Sequence, residues 1–434
     1  MNIILLSGGS GKRLWPLSND IRSKQFIKIF KKDNGEYESM VQRIYGQIKT
    51  VDPNATVTIA TSKSQVSAIH NQIGTDVGIS VEPCRRDTFA AIALATAYLH
   101  DVQGVDEEES VVVCPVDPYV DLSYFECVND LCETAKQGDK NLILMGIQPT
   151  YPSEKYGYIK PDGRGGYTFT EKPTADKAKE YINQGALWNG GVFAYKLSYV
   201  LNKSRELLGT DDYATLFGNY ASLKKISFDY AVAEAETSIE VLRYNGQWKD
   251  LGTWNTLTEA MEEPIIGDGR LNEKCENVHI INELGIPVLG MGLHDLVISA
   301  SPEGILVSDK EQSSYIKPYV DAIDQQIMFA EKSWGSYRVL DVGTESLTVK
   351  VTLNPDHQMN YHSHEHRDEV WTITSGSGKV IIDGVEQSAV PGDVIRMQAG
   401  QKHTIIAGPK GLQLIEVQIG KDISTADKHK YELT

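Results

Sequence analysis

A glycine-rich run near the start of the chain has the residue types needed to hold a chain of phosphates. It follows the apolar residues 3–6 and comprises Gly8, Gly9, Gly11, Lys12 and Arg13. Backbone N–H groups in such a loop can close on phosphates without obstruction by side chains, and the two cations can add charge-assisted hydrogen bonds. The spacing fits neither the dinucleotide-binding fingerprint nor the Walker A loop. An incidental glycine-rich turn is the alternative interpretation.

A second set of residues, near the C-terminus, has the spacing of a metal site. His362 and His364 are two residues apart, and side chains two apart on a strand point to the same face. Glu369 and His403 would complete a site of three histidines and one carboxylate, which suits Zn²⁺, Mn²⁺, Fe²⁺ or Ni²⁺. His366 shares the parity of the first pair and is a rival ligand. A polar barrel mouth that holds no metal is the alternative.

The size and charge of the chain limit its partners. Its 434 residues are too many for one ordinary core, so two or three domains are expected. A formal charge of −17 with no basic tract argues against nucleic acid, and an anionic substrate must be held by local lysine and arginine clusters. No stretch is apolar enough to span a membrane and the start is typical of a strand, so we expect a cytoplasmic protein with no membrane partner. Five cysteines without a C-x-x-C pair predict reduced thiols.

The pattern of apolar residues predicts the elements that position these groups. Residues 1–265 alternate strand and helix patterns, which predicts an α/β domain with a mostly parallel sheet and helices on both faces. Ligands of such sheets bind beyond the carboxyl ends of the strands, where the glycine-rich loop and Asp117 both fall. The predicted strands are 2–6, 56–60, 78–81, 110–115 and 141–147, and the predicted helices include 87–99 and 122–137.

The remainder of the chain has a different pattern. Short apolar pieces in 266–320 predict a β-helix-like segment, and 321–333 is interpreted as a helical or unstructured linker. Residues 334–434 are rich in strand patterns and predict a small antiparallel barrel. Its expected turns are at 375–378, 383–384 and 391–393, where glycine clusters with serine, proline or aspartate.

Motifs along the first 260 residues resemble those of mannose-1-phosphate guanylyltransferases, which are sugar-1-phosphate nucleotidyltransferases. The matching stretches, in family order, are Leu5–Ser18, Ser23–Phe26, Val81–Ile92, Cys114–Asp117, Tyr156–Ile159, Glu171–Pro173, Leu187–Phe193, Ser227–Tyr230 and Trp248–Trp254. Each motif alone is weak, but so many in order are strong evidence. The resemblance implies a Rossmann-like domain that transfers a nucleotidyl group from GTP to mannose-1-phosphate.

The resemblance also implies roles for individual residues. Those implied to be catalytic are Arg13, Lys24, Asp117, Lys172 and Asp250, with Asp117 and Asp250 holding Mg²⁺. Those implied to bind nucleotide are Leu6, Ser7, Gly8, Gly9, Gly11, Lys12, Glu82, Arg86 and Thr88. Those implied to bind the sugar phosphate are Gly157, Glu171, Asn189 and Asp229. Structural roles in their loops are the alternative for Glu82, Arg86 and Asn189.

The C-terminal motifs resemble those of cupins, and within them the type II mannose-6-phosphate isomerase module. Tyr361–Trp371 and Ile415–Gly420 match that module, but the stretch after them has no arginine, and none follows Arg396. Because isomerisation needs a base and a cation for the phosphate, weak or absent isomerase activity is expected. The predicted function is GDP-mannose synthesis by a homodimer. The alternatives are another sugar phosphate or base, or a non-catalytic regulatory protein that binds sugar nucleotides.

Overall fold

A computed structural model describes residues 1–9, 12–163, 166–424 and 426–433. The chain divides into two compact units. The first comprises Met1–Ser10 and Lys24–Glu262, and the second comprises Gly11–Ser23 and Glu263–Thr434. The glycine-rich run therefore starts in one unit and continues into the other.

Strands and helices alternate in the first unit. Its strands are β1 (Asn2–Leu6), β2 (Lys28–Lys31), β3 (Tyr37–Ser39), β4 (Thr56–Ser62), β5 (Gly78–Glu82), β6 (Ser110–Pro115), β7 (Pro118–Val120), β8 (Leu142–Ile147), β9 (Tyr158–Pro161), β10 (Tyr167–Thr170), β11 (Leu187–Lys196), β12 (Ile239–Tyr244) and β13 (Trp248–Asp250). Its α-helices are α1 (Met40–Val51), α2 (Val66–Ile73), α3 (Asp87–Asp101), α4 (Leu122–Gln137), α5 (Ala175–Asn183), α6 (Leu197–Leu208), α7 (Tyr213–Asn219) and α8 (Trp254–Thr258). Short 3₁₀ turns cover Lys24–Phe26, Lys63–Gln65 and Tyr220–Ser222, and a π-helical turn covers Asp229–Ala233.

The main sheet confirms the predicted α/β class. Strand β1 is parallel to β4 and β6, β4 is parallel to β5, and β8 is parallel to β12. Strand β11 runs antiparallel to β6, β8 and β9. Successive side chains of β1 enter different cores, since Ile3 and Leu5 pack into one and Ile4 into the other. Burial on both faces explains why the strands of this sheet are almost continuously apolar.

The second unit starts with stacked short strands. They are β14 (Ile265–Ile266), β15 (Gly269–Leu271), β16 (His279–Asn282), β17 (Val288–Gly290), β18 (Leu296–Ser301) and β19 (Gly304–Asp309). Strands β14, β16 and β18 are parallel neighbours, as are β15 and β17, whereas β19 is antiparallel to β18. Parallel stacking of strands from successive coils is the arrangement predicted as β-helix-like. A hydrogen bond of 2.5 Å from Ser301 Oγ to the carbonyl of Pro16 attaches residues 12–23 to these strands.

The rest of the second unit is an antiparallel sheet with a few short helical elements before it. These are the 3₁₀ turns Lys12–Leu14 and Gln312–Tyr315 and helix α9 (Lys317–Asp321). The strands are β20 (Phe329–Lys332), β21 (Gly335–Val342), β22 (Ser346–Leu353), β23 (His362–Ser363), β24 (Arg367–Ile382), β25 (Val385–Ala389), β26 (Val394–Met397), β27 (His403–Gly420) and β28 (His429–Lys430). The linker interpretation was wrong for Phe329–Lys332, which pairs with β21 and so belongs to the sheet.

One predicted turn is absent and two are confirmed. Chain reversals occur at residues 383–384 and 391–393, but β24 continues through 375–378. The two glycines there permit close packing on β27. A Cβ at Gly376 would lie 2.1 Å from the carbonyl oxygen of Gly411, and one at Gly378 would lie 2.1 Å from that of Ile406. The register shifts on either side of Gly376 show that these glycines form strand irregularities rather than a hairpin turn.

Candidate active site and metal centre

Two carboxylates and one ammonium group form the centre of the candidate active site. The short antiparallel pair β7–β13 sets Asp250 opposite Pro118, the residue that follows Asp117. The ammonium of Lys24 lies 2.9 Å from Oδ2 of Asp117 and 3.8 Å from Oδ1 of Asp250. Burial would raise the pKa of Asp117, but the charge and hydrogen bond of Lys24 outweigh burial and lower it. Two carboxylates beside one cation have the oxygen donors that Mg²⁺ prefers.

A pocket begins at these carboxylates and extends to the residues predicted to bind the sugar phosphate. Its lining includes Asp117, Asp250, Gly157, Glu171, Asn189 and Asp229. The structure thus brings together residues from six separate motifs. Lys155, Tyr156 and Trp248 also line the pocket and are not in the predicted set of site residues.

The carboxylate of Glu171 lies so close to Gly157 that only a glycine at position 157 leaves room for it. A Cβ at Gly157 would lie 2.6 Å from Oε2 of Glu171 and 2.7 Å from Cζ of Phe169, so no larger residue fits without movement. Lys172 has a positive φ of 44° and its ammonium is ion-paired with Glu171. The hydrogen bond that the ammonium of Lys172 donates to Glu171 raises the pKa of Lys172, whose side chain is half-exposed. Lys172 is therefore a cation beside the pocket rather than one of its lining residues.

Asn189 is fixed by three hydrogen bonds, one of which it makes to the carboxyl group of Asp229. Its backbone N–H donates to the carbonyl of Gly157 at 2.8 Å, and its Oδ1 accepts from the backbone of Gly191 at 3.1 Å. Its Nδ2 donates to Oδ1 of Asp229 at 2.7 Å. Burial and the charge of Glu171 raise the pKa of Asp229 to about 6. The pocket therefore offers hydrogen-bond acceptors and one group that titrates near neutral pH.

A buried polar network connects the start of the glycine-rich loop to the turn that carries Lys24. Nε2 of Gln25 donates to the carbonyl of Ser7 at 3.2 Å and to its hydroxyl at 3.0 Å. Oε1 of Gln65 accepts from Thr61 at 2.8 Å and lies near the same hydroxyl. Buried amides of this kind are fixed by their partners. Because Gln25 adjoins Lys24, this network fixes the backbone that presents the ammonium of Lys24.

The other residues of the predicted phosphate loop differ in their contacts and in their exposure. Leu6 ends β1, and Gly8 lies near the carboxylate of Glu82, since a Cβ there would be 3.9 Å from Oε1. Gly9 has a φ of 145°, Arg13 is exposed, and Gly11 lies outside the described residues. The ammonium of Lys12 lies 3.1 Å from Asp321 and 3.8 Å from Asp20.

Three residues predicted to bind nucleotide, Glu82, Arg86 and Thr88, contact residues between Tyr220 and Phe228. The hydroxyl of Tyr220 donates to Glu82 at 2.8 Å, and burial raises the pKa of Glu82. Arg86 donates to the carbonyls of Tyr220 and Ala221, and Thr88 Oγ1 accepts from the backbone of Phe228. These contacts are the structural alternative anticipated for Glu82 and Arg86, and a nucleotide role for the three residues stays a prediction.

The histidine cluster in the second unit has the geometry of a metal centre. Ligand atoms of His362, His364, Glu369 and His403 all lie within 4.8 Å of one another, and each side chain is about 2% exposed. The two carboxylate oxygens of Glu369 lie 3.0 Å from Nε2 of His364 and 3.2 Å from Nε2 of His403. The rival His366 is exposed and lies outside this group. Strand β23 covers only His362–Ser363, so the side-chain alternation of a strand does not extend to residue 366.

Backbone carbonyls orient all three imidazoles of the cluster. Nδ1 of His362 donates to Asn360 at 2.6 Å, Nδ1 of His403 donates to Gln401 at 2.9 Å, and Nδ1 of His364 donates to Asp427. This arrangement occupies each Nδ1 and leaves Nε2 as the ring nitrogen available to a metal. Burial and the charge of Lys428 lower the pKa of His362 to about 2, and Nε2 of His403 is buried without a hydrogen-bond partner. The donor set therefore fits a divalent transition metal.

Several polar groups around this centre were not among the predicted site residues. Arg367 lies 3.1 Å from Nε2 of His364 and 3.4 Å from Oε1 of Glu369. Glu416 is buried on β27, and burial and the charge of Glu369 raise its pKa to about 7. Burial lowers the pKa of Lys428, although the negative charge of Glu416 acts in the opposite direction. Alternation of side chains along β24 and β27 could have indicated Arg367 and Glu416 as interior residues.

Other expectations concern the whole chain. All five cysteines are free, as predicted. Among the described residues, no helix has the length and apolar character required to cross a membrane.

Comparisons with known proteins match both the N-terminal and the C-terminal part of the chain. Residues 322–432 match the family model described as mannose-6-phosphate isomerase C-terminal. The xanthan biosynthesis protein XanB of Xanthomonas campestris pv. campestris (strain B100) is 28% identical over 473 residues, with 99% of this chain and 98% of that protein covered. A mannose-1-phosphate guanylyltransferase of Salmonella montevideo is 25% identical over 470 residues, with 98% of this chain and 97% of that protein covered.

A solved structure is also similar. It is a crystal structure described as a mannose-1-phosphate geranyltransferase from Thermus thermophilus, with a TM-score of 0.61 and 28% identity. The similarity covers 74% of this chain and 98% of that one. The family model described as nucleotidyl transferase matches residues 2–265, which include all the predicted transferase residues. This match spans more than half of the chain, and the chain therefore belongs to the nucleotidyl transferase family.

Proposed function

We propose that the chain transfers a guanylyl group from GTP to mannose-1-phosphate, giving GDP-mannose and pyrophosphate. The observation that carries this proposal is the pair Asp117 and Asp250, joined by Lys24 at one end of a pocket lined by Glu171 and Asn189. The name of the Salmonella relative supports the choice of base and sugar.

The reaction needs charge neutralisation and alignment more than it needs a base. The attacking phosphate oxygen of the sugar is already anionic, and it displaces pyrophosphate at the α-phosphorus of GTP. Asp117 and Asp250 would hold Mg²⁺, which supplies positive charge to the phosphates. Lys24 contributes a fixed positive charge to the reacting centre. Glu171, Asn189 and Asp229 orient the sugar through hydrogen bonds to its hydroxyls.

The remaining cations have supporting roles. Lys12 and Arg13 bind the β- and γ-phosphates, and Lys172 binds the phosphate of the sugar. Lys12 must exchange its contact with Asp321 for the phosphates, which is feasible because an ion pair at the surface is worth only about 0–1 kcal/mol. Backbone groups of the loop from Leu6 to Gly9 complete the phosphate site.

The second unit would hold one divalent transition metal on His362, His364, Glu369 and His403. Its identity among Zn²⁺, Mn²⁺, Fe²⁺ and Ni²⁺ is open, since three histidines and a carboxylate suit each of them. Metal analysis after dialysis tests this site. We expect close to one equivalent per chain, and a small fraction of an equivalent would indicate an empty barrel.

A substrate screen tests the transferase activity. Pyrophosphate release would be measured for the four common nucleoside triphosphates against several hexose-1-phosphates, with Asp250→Ala as the inactive control. Release with GTP and mannose-1-phosphate above all other pairs is expected. Preference for another pair would establish another nucleotidyltransferase, and absence of release with every pair would favour a regulatory protein that binds sugar nucleotides. A homodimer in the cytoplasm stays a prediction, which size determination and fractionation would test.

A further inference from the structure

The C-terminal residues 426–433, here called the C-terminal strap, lie against the histidine cluster. Within the strap, β28 pairs with β23 and sets Lys430 opposite His362 and His429 opposite Ser363. Tyr431 donates its backbone N–H to the carbonyl of Tyr361 at 2.9 Å, and its hydroxyl lies 3.1 Å from that of Ser363. The strap therefore adds a strand beside the one that supplies the first metal ligand.

Asp427 joins the strap to the segment between two predicted ligands. Its Oδ1 accepts from the backbone N–H of Glu365 at 2.8 Å and its Oδ2 accepts from that of His366 at 3.2 Å. Its own carbonyl accepts from Nδ1 of His364. Asp427 is 5% exposed, so these bonds are shielded from water. One residue thus fixes both the backbone after His364 and the direction of its imidazole.

Arg367 connects the same residue to the carboxylate ligand. Its guanidinium donates to the carbonyl of Ser424 at 2.9 Å and lies 3.5 Å from Oδ2 of Asp427. The same group lies 3.4 Å from Oε1 of Glu369. Displacement of Asp427 would therefore disturb two of the four ligands, although Asp427 has no place among them.

We propose that Asp427 is a positioning residue of the metal centre, through which the C-terminal strap holds His364 and Glu369 in ligating geometry. Outer partners of metal ligands typically change metal affinity about 10–100-fold when removed. Asp427→Ala removes both carboxylate acceptors and so releases the strap from the 364–366 segment. Asp427→Asn keeps one acceptor oxygen, and its metal affinity should lie between those of the wild type and the alanine variant.

The test measures metal affinity on the full-length chain, without reference to any activity. Metal-free protein would be titrated with Zn²⁺ in competition with a chromophoric chelator, and the absorption of the Co²⁺ form would report the ligand geometry. Asp422→Ala is the matched control, because Asp422 is an exposed aspartate five residues earlier. Tyr431→Phe is a second variant, which loses only the hydroxyl contact with Ser363 and should weaken binding less.

Melting of the metal-free proteins separates positioning from general stability. We expect Asp427→Ala to bind Zn²⁺ about 10–100-fold more weakly with an altered Co²⁺ spectrum, and Asp422→Ala to match the wild type. Equal affinity of folded Asp427→Ala and wild type, or an equal loss in Asp422→Ala, would overturn the proposal. The inference rests on the proposed metal site, and a wild type that binds no metal would refute both. If Asp427→Ala does not fold, unchanged affinity in both Asp427→Asn and Tyr431→Phe would overturn it.

Discussion

The contact between Gly157 and Glu171 allows a test of the sugar side of the active site. In Gly157→Ala the new Cβ would lie 2.6 Å from Oε2 of Glu171 and 2.7 Å from Cζ of Phe169. Both distances are too short for real contacts, so the carboxylate must leave its position. Loss of the hydrogen bonds between this carboxylate and the sugar costs about 1.5–3 kcal/mol of binding free energy, and ~1.4 kcal/mol corresponds to a factor of ten in an equilibrium constant. We therefore expect KM for mannose-1-phosphate to rise about tenfold or more.

Initial rates of pyrophosphate release would measure both Michaelis constants, each at saturating concentration of the other substrate. KM for GTP should stay near its wild-type value, because Glu171 lies on the sugar side of the pocket. The control is Gly46→Ala in α1, where a Cβ meets nothing within 4 Å. This control should leave the kinetics unchanged. An unchanged KM for mannose-1-phosphate in correctly folded Gly157→Ala, or a rise in KM for GTP alone, would refute the placement of Glu171 at the sugar.

Three further outcomes are expected. Turnover of Asp250→Ala at low Mg²⁺ should fall by orders of magnitude, because ~7–11 kcal/mol of barrier lowering can come from positioning. A near-normal kcat in this variant would exclude a role for Asp250 in holding Mg²⁺. Relative to Asp229→Asn, the wild type should lose free energy of unfolding as the pH rises from about 4 to about 6 in urea titrations, because folded Asp229 keeps its proton to higher pH than an unfolded aspartate. Conversion of mannose-6-phosphate to fructose-6-phosphate should be slow or absent beside the transferase rate. If the two rates are comparable, Lys428→Ala should lower the isomerase rate more than Lys430→Ala, since Lys428 is half-buried beside Glu416 and Lys430 is exposed.

The fold was predictable where burial depends on local sequence alone. Strands β1 and β6 and helix α4 have the predicted bounds, because runs such as Ser110–Pro115 are apolar on both faces and end at clear breaks. The turn predicted at residues 375–378 is wrong. The prediction rests on glycine and serine, which are common in turns. Here the glycines are needed because β27 approaches β24 closely, which only the tertiary structure reveals.

The candidate-site residues that could be predicted are those with charged or metal-ligating side chains in recognisable motifs. The four predicted metal ligands lie together, as do Asp117, Asp250 and Lys24. Residues that act on these groups from outside a motif could not be predicted. Gln25 and Asp427 are ordinary polar residues in sequence, and their importance comes from buried hydrogen bonds to distant backbone groups.

The two proposed metal sites differ in exposure, and this difference fits two kinds of metal use. The side chains of Asp117 and Asp250 are 40% and 41% exposed, whereas Glu369 is 2% exposed. Mg²⁺ keeps several waters and binds through one or two carboxylates together with substrate phosphates, so an open site lets it enter and leave with the nucleotide. A buried set of histidines whose Nδ1 atoms are all occupied is suited to a metal that stays bound. Dialysis against a chelator should therefore remove Mg²⁺ from the first unit faster than the transition metal from the second.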